Sequence, residues 1–171
     1  MNTATSILVS KLAGLEPKTA IVLGSGLGSL AGEIPDAVRV PYADLEGFPH
    51  SGVSGHAAEV VAGLLGNTPV LMLSGRAHYY ENADASVMRA PLETLQGLGI
   101  ERLILTNAAG SLREDMPPGS VMQISDHINF SGSNPLFGEP SDRRFVGLTN
   151  AYHGGMAAEM REAARSTGIE L

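Results

Sequence analysis

The sequence contains no cysteine, which excludes disulfides, thiolate metal ligands and a cysteine nucleophile together. Long hydrophobic runs are also missing, and none approaches the ~20 apolar residues that a membrane-spanning helix needs. The first residues, MNTATSILVSKLAG, lack a basic start and carry Ser and Lys inside their apolar stretch. We therefore expect no signal peptide, no membrane partner and a cytoplasmic location.

Positive charge is scarce as well, because 11 Lys and Arg residues stand against 18 Asp and Glu, for a formal net charge of −7. Proteins that bind nucleic acid through their overall field are basic, so we expect no nucleic-acid partner. An anionic small substrate is compatible with this balance only where a local site binds it. The five histidines show no i, i+4 pair and no HExxH, so we expect no metal site.

The chain has 171 residues, of which 43% are hydrophobic, and this predicts one folded domain over residues 1–171. Short β-rich runs predict strands at 19–23, 37–41, 57–65, 68–73, 102–106 and 120–124, with a hairpin turn at Gly66-Asn67. Apolar residues at helical spacing predict helices at 5–12, 86–98 and 155–167, the last capped by Gly168. Strands alternating with helices predict an α/β fold, in which helices flank both faces of a mixed or mostly parallel central sheet.

The helix predicted at 86–98 has Met88, Leu92 and Leu95 on one face, and the last helix is expected to direct Met156, Met160 and Ala164 inward. The run at 102–106 (RLILT) is expected to be a buried strand. Three glycine-rich or polar segments, 24–28, 74–78 and 107–110, follow predicted strands. Ligands of such sheets bind at the carboxyl ends of strands, so we expect the three segments to converge.

Residues 24–28 (GSGLG) could hold an anion with their backbone N–H groups and the Ser25 hydroxyl. The segment is neither GxGxxG, since Ser29 replaces the last glycine, nor a phosphate-binding loop with a following Lys. A tight strand-to-helix turn is the plain alternative. Ser25 is also outside a GxSxG context, which argues against a serine hydrolase.

Arg76 and His78 follow the predicted strand 68–73, and in an extended chain both side chains project from one face, with Tyr80 continuing the row. The planar Arg fork suits phosphate oxygens, so we favour an anion site over a surface Arg beside a capping His. The small residues at 107–110 either admit a ligand against the backbone or pack closely against a helix. Asp126-His127 is expected to be a buried, hydrogen-bonded pair with a structural role.

Taken together, the sequence resembles the trimeric purine nucleoside phosphorylases from about residue 19 to the end. The motifs that carry this resemblance are 21–28 (IVLGSGLG), 48–57 (FPHSGVSGHA), 75–81 (GRAHYYE), 106–110 (TNAAG), 126–129 (DHIN) and 134–136 (NPL). Several motifs in the same order are far more specific than any one of them.

The resemblance implies phosphorolysis, in which a purine ribonucleoside or 2′-deoxyribonucleoside and phosphate give the free base and the sugar 1-phosphate. It implies a phosphate site formed by Ser25, His56, Arg76, Ala77, His78 and Ala108, with Arg76 and His78 catalytic. It implies nucleoside contacts from Tyr80, Asn107, Gly110 and Phe145, the last reaching a neighbouring subunit of a homotrimer. Inorganic phosphate would be the co-substrate, with no cofactor and no metal.

The sequence departs from the family in what it lacks. Members continue for about another hundred residues, roughly one more domain increment, which supply a purine-reading Glu, an Asn, a second phosphate-binding Ser and a ribose His. No Pro-x-Tyr/Phe-Glu-Thr segment occurs here, and Asn82 stands where members have Gly. We expect an N-terminal fragment, truncated after Leu171, that has little activity alone and aggregates through an exposed sheet edge.

Tyr79-Tyr80-Glu81 resembles the branch of the family that prefers 6-oxopurines. Two alternatives remain open at this stage. One is a methylthioadenosine phosphorylase of the same broader fold, and the other is a remnant that binds phosphate or nucleoside without turnover.

Overall fold

The computed structural model describes residues 2–49 and 58–171. Its helices are α1 (Thr3–Leu12), α2 (Tyr79–Asn82), α3 (Arg89–Gly97) and α4 (Gly154–Thr167), and its strands are β1 (Thr19–Val22), β2 (Val38–Pro41), β3 (Glu59–Leu65), β4 (Thr68–Ser74) and β5 (Arg102–Leu105). Short 3-10 turns occupy Gly28–Glu33, Tyr42–Asp44 and Asp142–Arg144. The chain divides into two compact units, Met1–Ala108 and Ala109–Leu171. The prediction of one domain over residues 1–171 stays a prediction.

The first unit contains a five-stranded sheet with the strand order β2-β3-β4-β1-β5. Strand β1 lies between β4 and β5 and is parallel to both, whereas β3 is antiparallel to β2 and to β4. The predicted mixed α/β sheet is therefore confirmed. Its consequence for function is that the carboxyl ends of β4, β1 and β5 lie side by side at one edge of the sheet.

The hairpin between β3 and β4 forms at the predicted turn. Leu65 pairs with Thr68, which leaves Gly66 and Asn67 as a two-residue loop. Gly66 has a φ of +61°, in the left-handed region that such tight hairpin turns require and that glycine adopts at little cost.

The core lies on both faces of the sheet because strand residues alternate between them. Leu71 and Leu73 of β4 face a cluster that includes Leu8 of α1 and Leu95 of α3. Val70 and Met72 face a second cluster, which includes residues of the Gly28–Glu33 turn. Helices thus cover one face, while the 3-10 turn covers the other, so the prediction of helices on both faces holds with a shorter element on one side.

Helix α1 is capped and joined to α3 through side chains. The Oδ1 atom of Asn2 accepts hydrogen bonds from the Thr5 backbone amide at 2.8 Å and from the Thr5 hydroxyl at 2.6 Å. The side-chain nitrogen Nδ2 of Asn2 donates to the Thr94 hydroxyl at 3.1 Å. A Cβ on Gly97 would lie 2.8 Å from the Thr5 hydroxyl oxygen. The close approach of the two helices therefore depends on a residue without a side chain at this point.

Helix α3 begins at Arg89, three residues later than predicted. The Ser86 amide and hydroxyl both donate to Asp84 Oδ1, at 2.8 and 2.7 Å, and this local turn replaces the first helical hydrogen bonds. Leu95 is buried, whereas Leu92, which the spacing places on the same face, is 43% exposed.

Strand β5 is one of the two edge strands of the described sheet, the other being β2. Its side chains Leu103 and Leu105 are 37% and 66% exposed, so the prediction of a buried strand is wrong. The sequence pattern was correct about the strand itself, because an apolar β-rich run is typical of a strand at any position in the sheet.

The second unit contains α4, which ends at Gly168 with a φ of +72°, as predicted. Ala164 is buried, whereas Met160 is 40% exposed and does not face inward. The predicted strand at 120–124 is wrong, because these residues have no strand conformation. Within this unit Gln123 donates its side-chain amide to the Ala157 carbonyl at 3.0 Å. In the described ranges, no helix is long and apolar enough to cross a membrane.

Candidate functional site

The ends of β1 and β5 are joined directly at the carboxyl edge of the sheet. The Gly24 amide donates to the Thr106 hydroxyl oxygen at 2.7 Å, and that hydroxyl donates to the Val22 carbonyl at 2.8 Å. A Cβ on Gly24 would lie 2.7 Å from the Thr106 carbonyl oxygen. Because that distance is too short for any side chain, glycine is required here by the approach of the two backbones rather than by its φ angle.

Arg76, which follows β4, reaches across the seam, by which we mean the junction of β1 and β5 at Gly24 and Thr106. The Arg76 guanidinium donates to the Thr106 carbonyl oxygen, although β1 lies between the strands that these residues follow. The half-buried Arg76 side chain therefore spans the ends of three strands. A guanidinium carries five N–H donors, so the contact with Thr106 leaves further donors for an anion.

The glycine loop after β1 forms a tight turn. The Leu27 amide donates to the Gly24 carbonyl at 3.1 Å, and Gly26 at its tip has a φ of +86°. Ser25 is exposed, and among the described residues no acceptor pairs with the amides of Ser25 and Gly26. The predicted tight turn is therefore present, and its Ser25 and Gly26 amides have no acceptor among the described residues, so the anion loop stays a prediction.

His78 lies where the extended chain after β4 enters helix α2. Its amide donates to Glu81 Oε1 at 2.6 Å, which fixes the start of the helix. Tyr80 belongs to α2, so the extended row predicted from Arg76 through Tyr80 stops at His78. The His78 and Tyr80 rings are instead stacked, with centroids 4.9 Å apart and planes 10° from parallel.

The remaining predicted site residues are placed unequally. Asn107 and Ala108 are exposed directly after β5, and Ala77 is half-buried between Arg76 and His78. Gly110 and Phe145 belong to the second unit, where the Arg144 guanidinium lies 4.9 Å from the centroid of the Phe145 ring. His56 lies outside the described residues. Within the first unit, the structure thus brings together Gly24, Arg76 and Thr106, the residue that precedes the third predicted segment.

The Asp126-His127 pair is hydrogen-bonded but exposed, so the prediction of burial is wrong. Asp126 Oδ1 accepts the His127 amide at 2.9 Å, and the Tyr152 hydroxyl lies 3.0 Å from His127 Nδ1. The pair is thus part of a local contact within the second unit, and sequence analysis missed Tyr152 as its partner.

A cleft of about 650 Å³ opens beside the site in the first unit. Its lining includes Ala77 and three carboxylates, from Glu81, Asp84 and Glu93. The Ser86 hydroxyl and amide, which donate to Asp84, lower the pKa of that carboxyl, so it remains anionic. Across residues 2–49 and 58–171, no group of three or more His, Asp or Glu side chains has an arrangement that could hold a metal ion.

Two residues of this site were not identified in the sequence as functional candidates, Thr106 and Tyr42. Thr106 is the polar residue that ends an otherwise apolar run, which is a signal that could have been used. Tyr42 donates its hydroxyl to the Gly75 carbonyl at 2.7 Å from another part of the chain, and no local pattern indicates that contact.

Comparisons with known proteins identify the proteins to which this chain is similar. Purine nucleoside phosphorylase 1 of Geobacillus stearothermophilus is 42% identical over 159 residues, which cover 91% of this chain and 58% of that protein. Purine nucleoside phosphorylase of Bos taurus is 39% identical over 161 residues, covering 91% of this chain and 54% of that protein. The chain therefore spans little more than half the length of these curated relatives.

The fold is similar to that of a solved structure, isoform 2 of purine nucleoside phosphorylase from Schistosoma mansoni in complex with cytosine and ribose-1-phosphate. The TM-score is 0.85 at 29% identity, over 98% of this chain and 61% of that chain. The family profile described as the Phosphorylase superfamily matches residues 18–171, which include the sheet and all three converging segments. On this match the chain belongs to the phosphorylase superfamily.

Proposed function

We propose that this chain carries the phosphate-binding part of a purine nucleoside phosphorylase. The observation that carries the proposal is the position of the Arg76 guanidinium, which crosses β1 and meets the Thr106 carbonyl beside the glycine loop. The guanidinium and the Ser25 and Gly26 amides, which have no acceptor within the described ranges, form a donor set suited to phosphate oxygens. The names of the two curated relatives support the substrate class, since both proteins are called purine nucleoside phosphorylases.

The chemistry follows from where charge develops. Cleavage of a glycosidic bond builds positive charge on the sugar. A phosphate dianion held against the sugar stabilises this cation and then bonds to its anomeric carbon. Arg76 and the loop amides would hold phosphate in place, and His78 would donate to it from the start of α2. The electron pair of the broken bond leaves with the purine nitrogen, which then takes a proton.

Further features of the proposal concern the whole enzyme. We propose cleavage of purine ribonucleosides and 2′-deoxyribonucleosides, with 6-oxopurines preferred, without a cofactor, in a cytoplasmic homotrimer. The exposure of Phe145, at 73%, supports the trimer, because the resemblance assigns this ring to a neighbouring subunit's sugar site. We also propose that the 171-residue chain alone turns over no nucleoside, since it has no Pro-x-Tyr/Phe-Glu-Thr segment to read the purine.

Phosphate binding by the chain itself tests the core of the proposal. Titration calorimetry with inorganic phosphate should give saturable binding, and Arg76→Ala should weaken it at least about tenfold, as expected for the loss of a charge-assisted hydrogen bond. Arg165→Ala is the matched control, because Arg165 is exposed on α4 and pairs with Glu162. Equal phosphate affinities for the wild type and Arg76→Ala would remove Arg76 from the site.

Turnover is a separate measurement. Inosine and phosphate incubated with the purified chain should release no hypoxanthine at the rates of complete phosphorylases. Release at such rates would contradict the proposed inactivity of the isolated chain, while leaving the phosphate site in place.

A further inference from the structure

Tyr42 is a buried side chain whose polar end points at the candidate site. It is 2% exposed, and its hydroxyl donates to the Gly75 carbonyl at 2.7 Å. Its ring meets the Phe48 ring edge-on, with centroids 5.1 Å apart. Burial raises the pKa of the Tyr42 hydroxyl, and the Glu59 carboxylate raises it further, so the hydroxyl keeps its proton and remains a donor.

The acceptor of this hydrogen bond is a sensitive point in the backbone. Gly75 is buried and has a φ of +130°, a conformation that side-chain-bearing residues rarely adopt. Its carbonyl belongs to the same planar peptide as the Arg76 amide. A hydrogen bond to that carbonyl therefore sets the orientation of the peptide from which Arg76 extends, at a residue whose own conformational freedom is greatest.

Arg76 is thus held at both of its ends. Tyr42 holds the peptide that precedes it, and the Thr106 carbonyl accepts from its guanidinium. Only the Thr106 contact uses a guanidinium donor, so the Arg76 side chain is pre-organised while other N–H groups of its guanidinium stay available.

We propose that Tyr42 is a positioning residue of the anion site, which orients Arg76 through the Gly75 peptide. This inference rests on the proposed phosphate site and deepens it, since it names a residue that touches no phosphate but sets the affinity for it. A purely structural Tyr42 would act through its ring, by packing against Phe48, and its hydroxyl would not affect phosphate binding.

Tyr42→Phe separates the two roles, because it keeps the ring and removes the donor. We expect it to weaken phosphate binding about 5- to 20-fold in titration calorimetry, the effect of one misplaced hydrogen-bonding partner. The control is Val61→Ala, which truncates a fully buried side chain in the cluster on the other face of the sheet. This control should lower the melting temperature and leave phosphate affinity unchanged.

A spectroscopic measurement makes the outcome independent of phosphate. The guanidinium N–H signal of Arg76, assigned by its loss in Arg76→Lys, should shift or broaden in Tyr42→Phe and stay in place in Val61→Ala. If wild-type protein binds no phosphate, the proposed function fails, and the Arg76 signal still decides the role of Tyr42.

A further variant covers the case in which Tyr42→Phe does not fold. Incorporation of 3-fluorotyrosine at position 42 keeps the ring and provides a more acidic, stronger donor, so the Arg76 signal should shift in a folded protein. The inference is overturned if a folded position-42 variant leaves both the Arg76 signal and the phosphate affinity as in the wild type.

Discussion

Replacement of Gly24 by Ala tests the seam on which the candidate site is built. The added Cβ would lie 2.7 Å from the Thr106 carbonyl oxygen and 3.1 Å from the Asn107 Cα. Carbon atoms of real side chains essentially never come closer than 3.0 Å, so the ends of β1 and β5 must separate by at least about 0.3 Å, the difference between 3.0 and 2.7 Å. Both neighbours are backbone atoms, and neither can rotate away.

The energetic cost has two parts. Forcing extra volume into a packed seam costs about 1–3 kcal/mol. Stretching the 2.7 Å hydrogen bond from the Gly24 amide to the Thr106 hydroxyl removes up to about 1 kcal/mol more. Urea unfolding followed by circular dichroism should therefore show a loss of about 1–4 kcal/mol. Phosphate binding should weaken as well, because Arg76 is anchored on the displaced carbonyl.

The same loop provides two controls that isolate this effect. A Cβ on Gly28 would have no atom within 4 Å, and the φ angle of Gly28 lies outside the left-handed region. Gly28→Ala should therefore change the free energy of unfolding by less than about 0.5 kcal/mol. Gly26 has equally open space but a φ of +86°, so Gly26→Ala should cost about 1 kcal/mol through backbone strain alone. If Gly24→Ala proved as stable as Gly28→Ala, the close approach of the two strands would be refuted.

Three further outcomes are expected. Thr106→Val keeps the side-chain shape but removes both hydrogen bonds of the hydroxyl, so thermal melts should show that the free energy of unfolding falls by about 1–3 kcal/mol. An unchanged melting curve would contradict the hydrogen bonds that join β1 and β5. The pKa of Asp84 is lowered in the folded protein, so the stability that its carboxylate contributes is fully present above the ordinary carboxyl pKa of about 3.9 and is lost as the pH falls through the folded pKa. Asp84→Asn should therefore make the melting temperature fall less steeply at acid pH. The same acid dependence in the variant and the wild type would contradict the Ser86 contacts. Leu105→Lys should reduce light scattering by the purified chain, because Leu105 is 66% exposed on an edge strand, and undiminished scattering would locate self-association elsewhere.

The elements that sequence reasoning located correctly are those specified by neighbouring residues. Strands β1 and β4 are short apolar runs bounded by glycine or polar residues, and the hairpin turn has Gly66 at a left-handed position. Convergence of the three segments also followed from sequence, because parallel strands of one sheet end at the same edge.

The errors fall where environment outweighs local preference. The β-rich run at 120–124 forms no strand, since a strand needs a partner to accept and donate its backbone hydrogen bonds, which local preference does not provide. Leu92 and Met160 have the right helical spacing yet are 43% and 40% exposed. Periodicity defines an apolar face but does not supply a surface to cover it.

The α/β class, most strand positions and the three loops that carry Ser25, Arg76 and Asn107 could be read from the amino-acid sequence, because turns and apolar runs are properties of adjacent residues. The position of β1 between β4 and β5, the contact of Arg76 with the Thr106 carbonyl and the contact of Tyr42 with the Gly75 peptide became known from the folded chain alone. These contacts join residues about thirty positions apart, and such pairs are selected by strand order and close packing, which no local pattern encodes.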